Sequence, residues 1–327
     1  MPNNRTVVAI GDLHGDYHRA QRILLEHEIL MPDTLEVNPE RTGVDLVFLG
    51  DYVDWRGETL EGAAEEQAGG ARRIVELVHR SYRRMAELRQ QQESYDSRLY
   101  PLLGNHDDMM LQAHRAVDVT PLEALQEVLN QAGRRLGRAI RAITELGLSD
   151  EVSQAVLKFF HWYAQGGDST LQSFGGLENW KAALDGDLGD FLRRDLLLGI
   201  VLNGSLYTHT APDEPDFWKP LDQIEALPPT EYGQARDSYI WSRKIWGYNW
   251  QTGLRSAPFT QEEIEAMLAG MAVERIVIGH TRMSTDGTAF HAFNHRVVNI
   301  DLHGFPGSAA LVEHYHELAR LEAQGHT

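Results

Sequence analysis

Cysteine is absent from all 327 residues of the chain. That excludes disulfides and thiolate metal sites, and it fits a reducing compartment. Basic residues are few: 30 Lys and Arg stand against 48 Asp and Glu, a net charge of −18. Such a balance argues against broad binding to a nucleic-acid backbone or to an anionic membrane surface. Long apolar runs are missing too; none approaches the ~18 residues of a membrane-spanning helix. The first apolar run starts at Val7, too early to leave room for a signal peptide, so a cytoplasmic location is expected. The glycine-rich segment GDLHGD lacks the G-K-[ST] ending of a nucleotide-cradling loop, so its glycines are read as serving sharp turns.

Five short apolar runs each end in metal-binding side chains. VVAI precedes GDLHGD at 7–16, DLVFL precedes GDYVDWRG at 45–57, and LYPLL precedes GNHDD at 99–108. NGSLY precedes THTAP at 203–212, and RIVI precedes GHTRM at 275–283. Each run has the length and composition of a buried strand. In α/β sheets ligands sit beyond the carboxyl ends of strands, so five such tips can converge on one site. In D-x-H after a strand, Asp12 and His14 point to the same side. Converging Asp, His and Asn without Cys suit Mn, Fe, Zn or Mg.

The strand-then-loop motifs spread from residue 7 to beyond 300, so no cut yields two independent halves. A single α/β domain over 1–327 is expected, with helical insertions at about 58–93 and 108–200, the second forming a cap over or beside the site. Residues 17–30 have helical spacing. Residues 212–260 carry Pro212, Pro215, Pro220 and Pro228-Pro229 and are expected to be loop-rich. Residues 288–300 alternate as a late strand pair, and 308–323 is expected to be a final helix.

Taken in order, GDLHGD, GDYVDWRG, GNHD, the strand-end His209 and Gly279-His280-Thr281 resemble the successive motifs of the calcineurin-like metallophosphoesterases. Within that superfamily the likeness is to the phosphoprotein phosphatase branch and its bacterial relatives, the Shewanella-like phosphatases and the diadenosine tetraphosphatases. It covers residues 7 to about 305. Two departures stand out: Trp55 is inserted between Asp54 and Arg56, and Asp107 replaces the usual Glu after GNH.

The resemblance implies a four-layer α/β/β/α sandwich with mixed sheets and a helical cap insertion. It implies two divalent ions, manganese foremost, with iron, zinc or magnesium as alternatives. Asp12 and His14 would bind the first, Asp51 would bridge, and Asn105, His209 and His280 would complete the second. A metal-bridging hydroxide would attack phosphorus in line, favouring neutral to mildly alkaline pH. His106, paired with Asp54, would be the general acid, because a hydrogen-bonded carboxylate keeps an imidazole protonated beside dications. Arg56 and Arg243 would clamp phosphate through their planar forks, though Arg243 also suits a surface ion pair. The implied partner is a phosphorylated substrate: a phosphoprotein, a small phosphomonoester or a nucleoside polyphosphate. A non-catalytic scaffold on this fold would be expected to lose ligands or the acid, and here all are present.

Other residues read more quietly. Asp107 is taken to orient a neighbouring group rather than bind metal, and Asp16 and Asp108 carry no firm role. Asp301 reads as structural, His303 as an ordinary part of its loop with lining the site as the alternative, and His79, His114 and His161 as surface or core residues. Tyr239, Trp241, Trp246, Tyr248 and Trp250 are expected to pack their own segment, with stacking on a base or phosphotyrosine ring as the alternative.

Overall fold

The computed structural model describes residues 3–55, 57–61, 70–249 and 251–317. Its strands are β1 (Asn3–Ile10), β2 (Val44–Phe48), β3 (Arg98–Pro101), β4 (Gly199–Leu202), β5 (Ser205–Thr208), β6 (Tyr248–Asn249), β7 (Leu254–Arg255), β8 (Arg275–Ile278), β9 (Phe290–Ala292), β10 (Val297–Asn299) and β11 (Leu311–Glu317). One mixed sheet has the order β11-β1-β2-β3, the other β4-β5-β8-β10-β9, and β6 pairs with β7 alone. All five apolar runs are strands: β1, β2 and β3 run parallel in the first sheet, and β5, β8 and β10 run parallel in the second.

The two-residue period of each strand decides the layers. Val7, Ala9, Val47, Leu49 and Leu102 of the first sheet and its strand ends form one cluster with Leu202, Tyr207, Val277, Val298 and Ile300 of the second. The alternate residues Val8, Ile10, Leu46 and Phe48 belong instead with Ile23, Leu24, Ile74 and Val78 of the flanking helices. Leu206, Ile276 and Ile278 likewise belong with Ile264, Met267 and Leu268 of the Gln261–Met271 helix. Helices thus cover the outer face of each sheet, which gives the four-layer α/β/β/α order.

β2 is buried along its whole length, as expected of a parallel strand covered on both faces. Its one charge, Asp45, is held by Arg5 of β1 through Nε at 2.7 Å and Nη2 at 2.6 Å. The tail departs from expectation. Residues 311–317 form β11, antiparallel to β1 from Ala9↔Leu311 to Asn3↔Glu317, and not a helix. Alternation places Glu313 and Tyr315 on one face, and that face finds partners. The Tyr315 hydroxyl donates to Asp45 at 2.6 Å. Glu313 accepts from Tyr207 and Arg275 of the other sheet, each at 2.6 Å.

Between β3 and β4 the chain is helical, from Asn105–Val117 to Asp187–Arg194. The Gly70–Gln91 helix packs on the first sheet's outer side. Residues 212–260 are less loop-rich than expected, because Pro228-Pro229 opens a helix over Pro229–Trp241. Proline suits the first helical turn, where its missing N–H costs nothing. The late strand pair appears as β9 and β10.

Candidate metal centre

The strand tips turn sharply. His14, Asp51, Asp54 and His280 adopt φ of 43°, 52°, 69° and 64°, a left-handed conformation uncommon for residues with side chains and concentrated at functional sites. Two motif glycines are there because nothing larger fits. A Cβ on Gly279 would lie 2.1 Å from Asp12 Oδ1, and one on Gly104 2.2 Å from Asp51 Oδ1.

Backbone carbonyls, which can only accept, fix the tautomers of three buried histidines. His14 Nδ1 donates to Val53 O at 3.1 Å, His209 Nδ1 to Leu49 O at 2.8 Å, and His280 Nε2 to Trp241 O at 3.2 Å. The remaining ring nitrogens therefore carry lone pairs, and they converge. His209 Nε2 faces His280 Nδ1 at 3.1 Å and Asn105 Oδ1 at 3.0 Å. Asp51 Oδ2 lies 3.5 Å from His14 Nε2 and 3.6 Å from His209 Nε2. Asp12 accepts the His280 N–H at 3.1 and 3.0 Å, which ties the first strand tip to the last.

The electrostatics point the same way. Burial holds all three imidazoles neutral: His14 is lowered to about 3, His209 is lowered, and His280 falls well below its usual value with help from the charge of half-buried Arg243. Burial raises Asp51; positive charge from the surrounding imidazoles would hold its carboxyl below the carboxylate range, and with those rings neutral a bound cation would supply that charge. Burial, Asp301 and Asp51 push Asp12 well up. Lone pairs facing each other at hydrogen-bond distance, with no proton between them, need a cation. Neutral imidazoles, an amide oxygen and carboxylates are a fitting donor set for a divalent metal. Asp12–His14–His303, His14–Asp51–His106 and Asp51–His209–His280 each bring their donor atoms within 4.8 Å of one another.

His106 Nδ1 meets Asp54 Oδ2 at 2.9 Å. Burial raises Asp54, and its hydrogen bond to His106 opposes that. Its other oxygen accepts from Trp162 Nε1 at 3.0 Å and from the Thr170 hydroxyl at 2.6 Å. Thr170 in turn accepts the Asp54 N–H at 3.0 Å. Sequence reasoning did not single out Trp162 or Thr170. The available signal was the Gly166-Gly167 break between them: a Cβ on Gly167 would sit 2.6 Å from the Trp162 ring. Asp107, as expected, orients: it accepts from the backbone N–H of Asp51 at 2.7 Å, Tyr52 at 3.1 Å and Gly104 at 3.1 Å. Asp16 caps the Tyr17–Glu26 helix.

His303 takes the less favoured of its two sequence readings and lies beside the site. Its ring packs edge-on against His14, with centroids 4.7 Å apart, and Nδ1 is hydrogen-bonded to buried Asp301. Burial lowers its pKa, but Asp301 outweighs that and raises it. A signal was present: Asp-Leu-His-Gly occurs twice, at 12–15 after β1 and at 301–304 after β10. Of the aromatic group, Tyr239 is buried, while Trp246 stacks on Phe293 at 6.4 Å, outside its own segment. Arg56 and Trp250 lie outside the described residues.

Comparison with known proteins agrees with this geometry. Residues 5–282 match the calcineurin-like phosphoesterase family, and the chain belongs to it: the protein is a metal-dependent hydrolase of phosphate esters. Its fold is similar to that of the cold-active protein-tyrosine phosphatase of a psychrophilic Shewanella species, at 16% identity over 96% of this chain and 76% of that one, with a TM-score of 0.53. A point mutant of a cold-active protein tyrosine phosphatase gives 17% identity over 96% and 76%, with a TM-score of 0.54. At such identity the likeness is one of fold. No curated protein sequence matches the chain.

Proposed function

We propose that the protein is a dinuclear phosphomonoesterase of the phosphoprotein phosphatase type. The observation that carries this is the position of Asp51 Oδ2, between the lone pairs of His14 and His209 at 3.5 and 3.6 Å. Asp12 and His14 would hold one ion, Asp51 both, and Asn105, His209 and His280 the other, with manganese the foremost choice. When bound, the ions supply charge to phosphoryl oxygens and lower the pKa of bound water towards ~7.

The chain's own groups do the rest. Asp54, fixed by Trp162 and Thr170, accepts from His106 Nδ1 and orients the ring. His106 then gives its proton to the leaving oxygen. Arg243, beside His280, and Arg56 would grip phosphate oxygens. We read 1–327 as one domain, supported by the pairing of β11 with β1, with the helical stretch after β3 as one wall of the site. No described helix is long and apolar enough to cross a membrane, and we place the protein in the cytoplasm.

The deciding experiment is hydrolysis by chelator-stripped protein, with and without manganese. The substrates are p-nitrophenyl phosphate, a phosphopeptide and diadenosine tetraphosphate. Manganese-dependent release of phosphate from the first two is expected. Cleavage of diadenosine tetraphosphate alone would replace this reading with a nucleoside polyphosphate hydrolase.

A further inference from the structure

Three helices run outward from the metal centre, each anchored there by one end. The Asn105–Val117 helix begins with Asn105 and His106. The Asp150–Trp162 helix ends at Trp162, whose indole holds Asp54. The Pro229–Trp241 helix ends at Trp241, whose carbonyl accepts from His280. Farther out, residues of these helices line a cavity of about 420 Å³: Gln112 and Arg115 of the first, Gln154 and Lys158 of the second, Arg236 of the third.

In a chain with a net charge of −18, this cavity sets three cations against one lining acid, Glu151. Arg236 is already paired, its Nη2 lying 2.8 Å from buried Asp108 and 3.6 Å from Asp237, while its Nε is buried without a partner among the described residues; the charge the cavity offers is that of Arg115 and Lys158. Arg115 and Lys158 are exposed, and their side chains make no hydrogen bond or ion pair with a described residue. At 1.5 Å per residue, Gln112 and Arg115 stand about 9 and 14 Å along the helix axis from His106.

We infer that this cavity is a substrate subsite for an acidic side chain, Asp or Glu, three or four residues from the phosphorylated residue of a peptide. The inference rests on the phosphopeptide reading above. An extended peptide advances ~3.3 Å per residue, so three to four residues cover about 10–13 Å, close to the ~14 Å of helix rise that separates Arg115 from His106. The protein's overall charge repels an acidic peptide, but screening limits that repulsion to about 10 Å at 0.1 M salt, so the nearby cations decide.

The test uses manganese-loaded protein and two phosphopeptides that differ only in Glu or Gln at the third and fourth positions from the phosphoresidue. The Glu peptide is expected to have a kcat/KM roughly five- to tenfold higher, the gain lying in KM and fading at high salt. In Arg115→Gln/Lys158→Gln the ratio falls to about one. In Arg115→Glu/Lys158→Glu a Lys-bearing peptide becomes the better substrate. Equal rates on the Glu and Gln peptides by the unaltered protein, or an unchanged ratio in the Gln variant, would overturn the subsite. Failure to cleave any phosphopeptide, with diadenosine tetraphosphate cleaved, would overturn the phosphopeptide reading instead.

Discussion

Each buried polar residue at the site has a distinct part, and single substitutions should separate them. Asp51→Asn removes the carboxylate between His14 and His209 and is expected to lose metal, read by elemental analysis. His106→Asn is expected to keep both ions yet lose turnover by about 10²–10⁴-fold, the usual scale of proton transfer by a positioned side chain. Retention of both metals in Asp51→Asn would refute the bridging role. Thr170→Val keeps the shape but removes both hydrogen bonds to Asp54. A stability loss of about 1–3 kcal/mol is expected in denaturant titration, with kcat lowered and metal content intact. The convergence of Asp12, Asp51 and His280 was legible from sequence because each stands at a strand tip in a short motif. Thr170 was not, because it reaches Asp54 from 116 residues away and carries no motif.

Among the elements, the strand-to-loop junctions leave the least room. Gly279→Ala would press a methyl into Asp12 Oδ1 at 2.1 Å; loss of metal and a lower melting temperature are expected. Gly137 is the contrast. It is exposed in the Leu136–Glu145 helix with nothing within 4 Å of a new Cβ, so Gly137→Ala should stabilise by about 0.5–1 kcal/mol. A Gly279→Ala protein with both metals and unchanged stability would contradict the close approach. Central strands were easy to read because burial on both faces makes them continuous apolar runs. The tail was misread because seven residues with mixed polarity fit either period; Asp45, Tyr207 and Arg275 decide in favour of a strand, and none of them is near in sequence. The prolines at 228 and 229 misled in the opposite direction, since proline both breaks helices and begins them.

For the whole molecule, buried carboxylates and lone pairs clustered in one place make the fold depend on what fills it. Manganese at a hundredfold excess over its dissociation constant should add about 2.7 kcal/mol, seen as a rise of several degrees in melting temperature. The sign with pH follows from the shifts. His14, His209 and His280 are lowered by burial, so the stability they give is present above about 6.5 and declines as pH falls below it. Asp12 is raised and works oppositely in stripped protein, where its protonated form is favoured; a metal removes that compensation. The gain in melting temperature on adding manganese should therefore shrink as pH falls from 7 to 5. A gain that grew with acidity would refute the donor set.

The pairing of β1 with β11 joins residues as far apart as Asn3 and Glu317. A ribosome adds ~5–20 residues per second, so β1, once made, waits on the order of 15–60 s for that neighbour. Through that interval an edge of β1 has unmet backbone donors and acceptors, an invitation to other nascent chains. Expression yield should therefore respond to translation speed and to chaperone supply more than the finished protein's stability suggests.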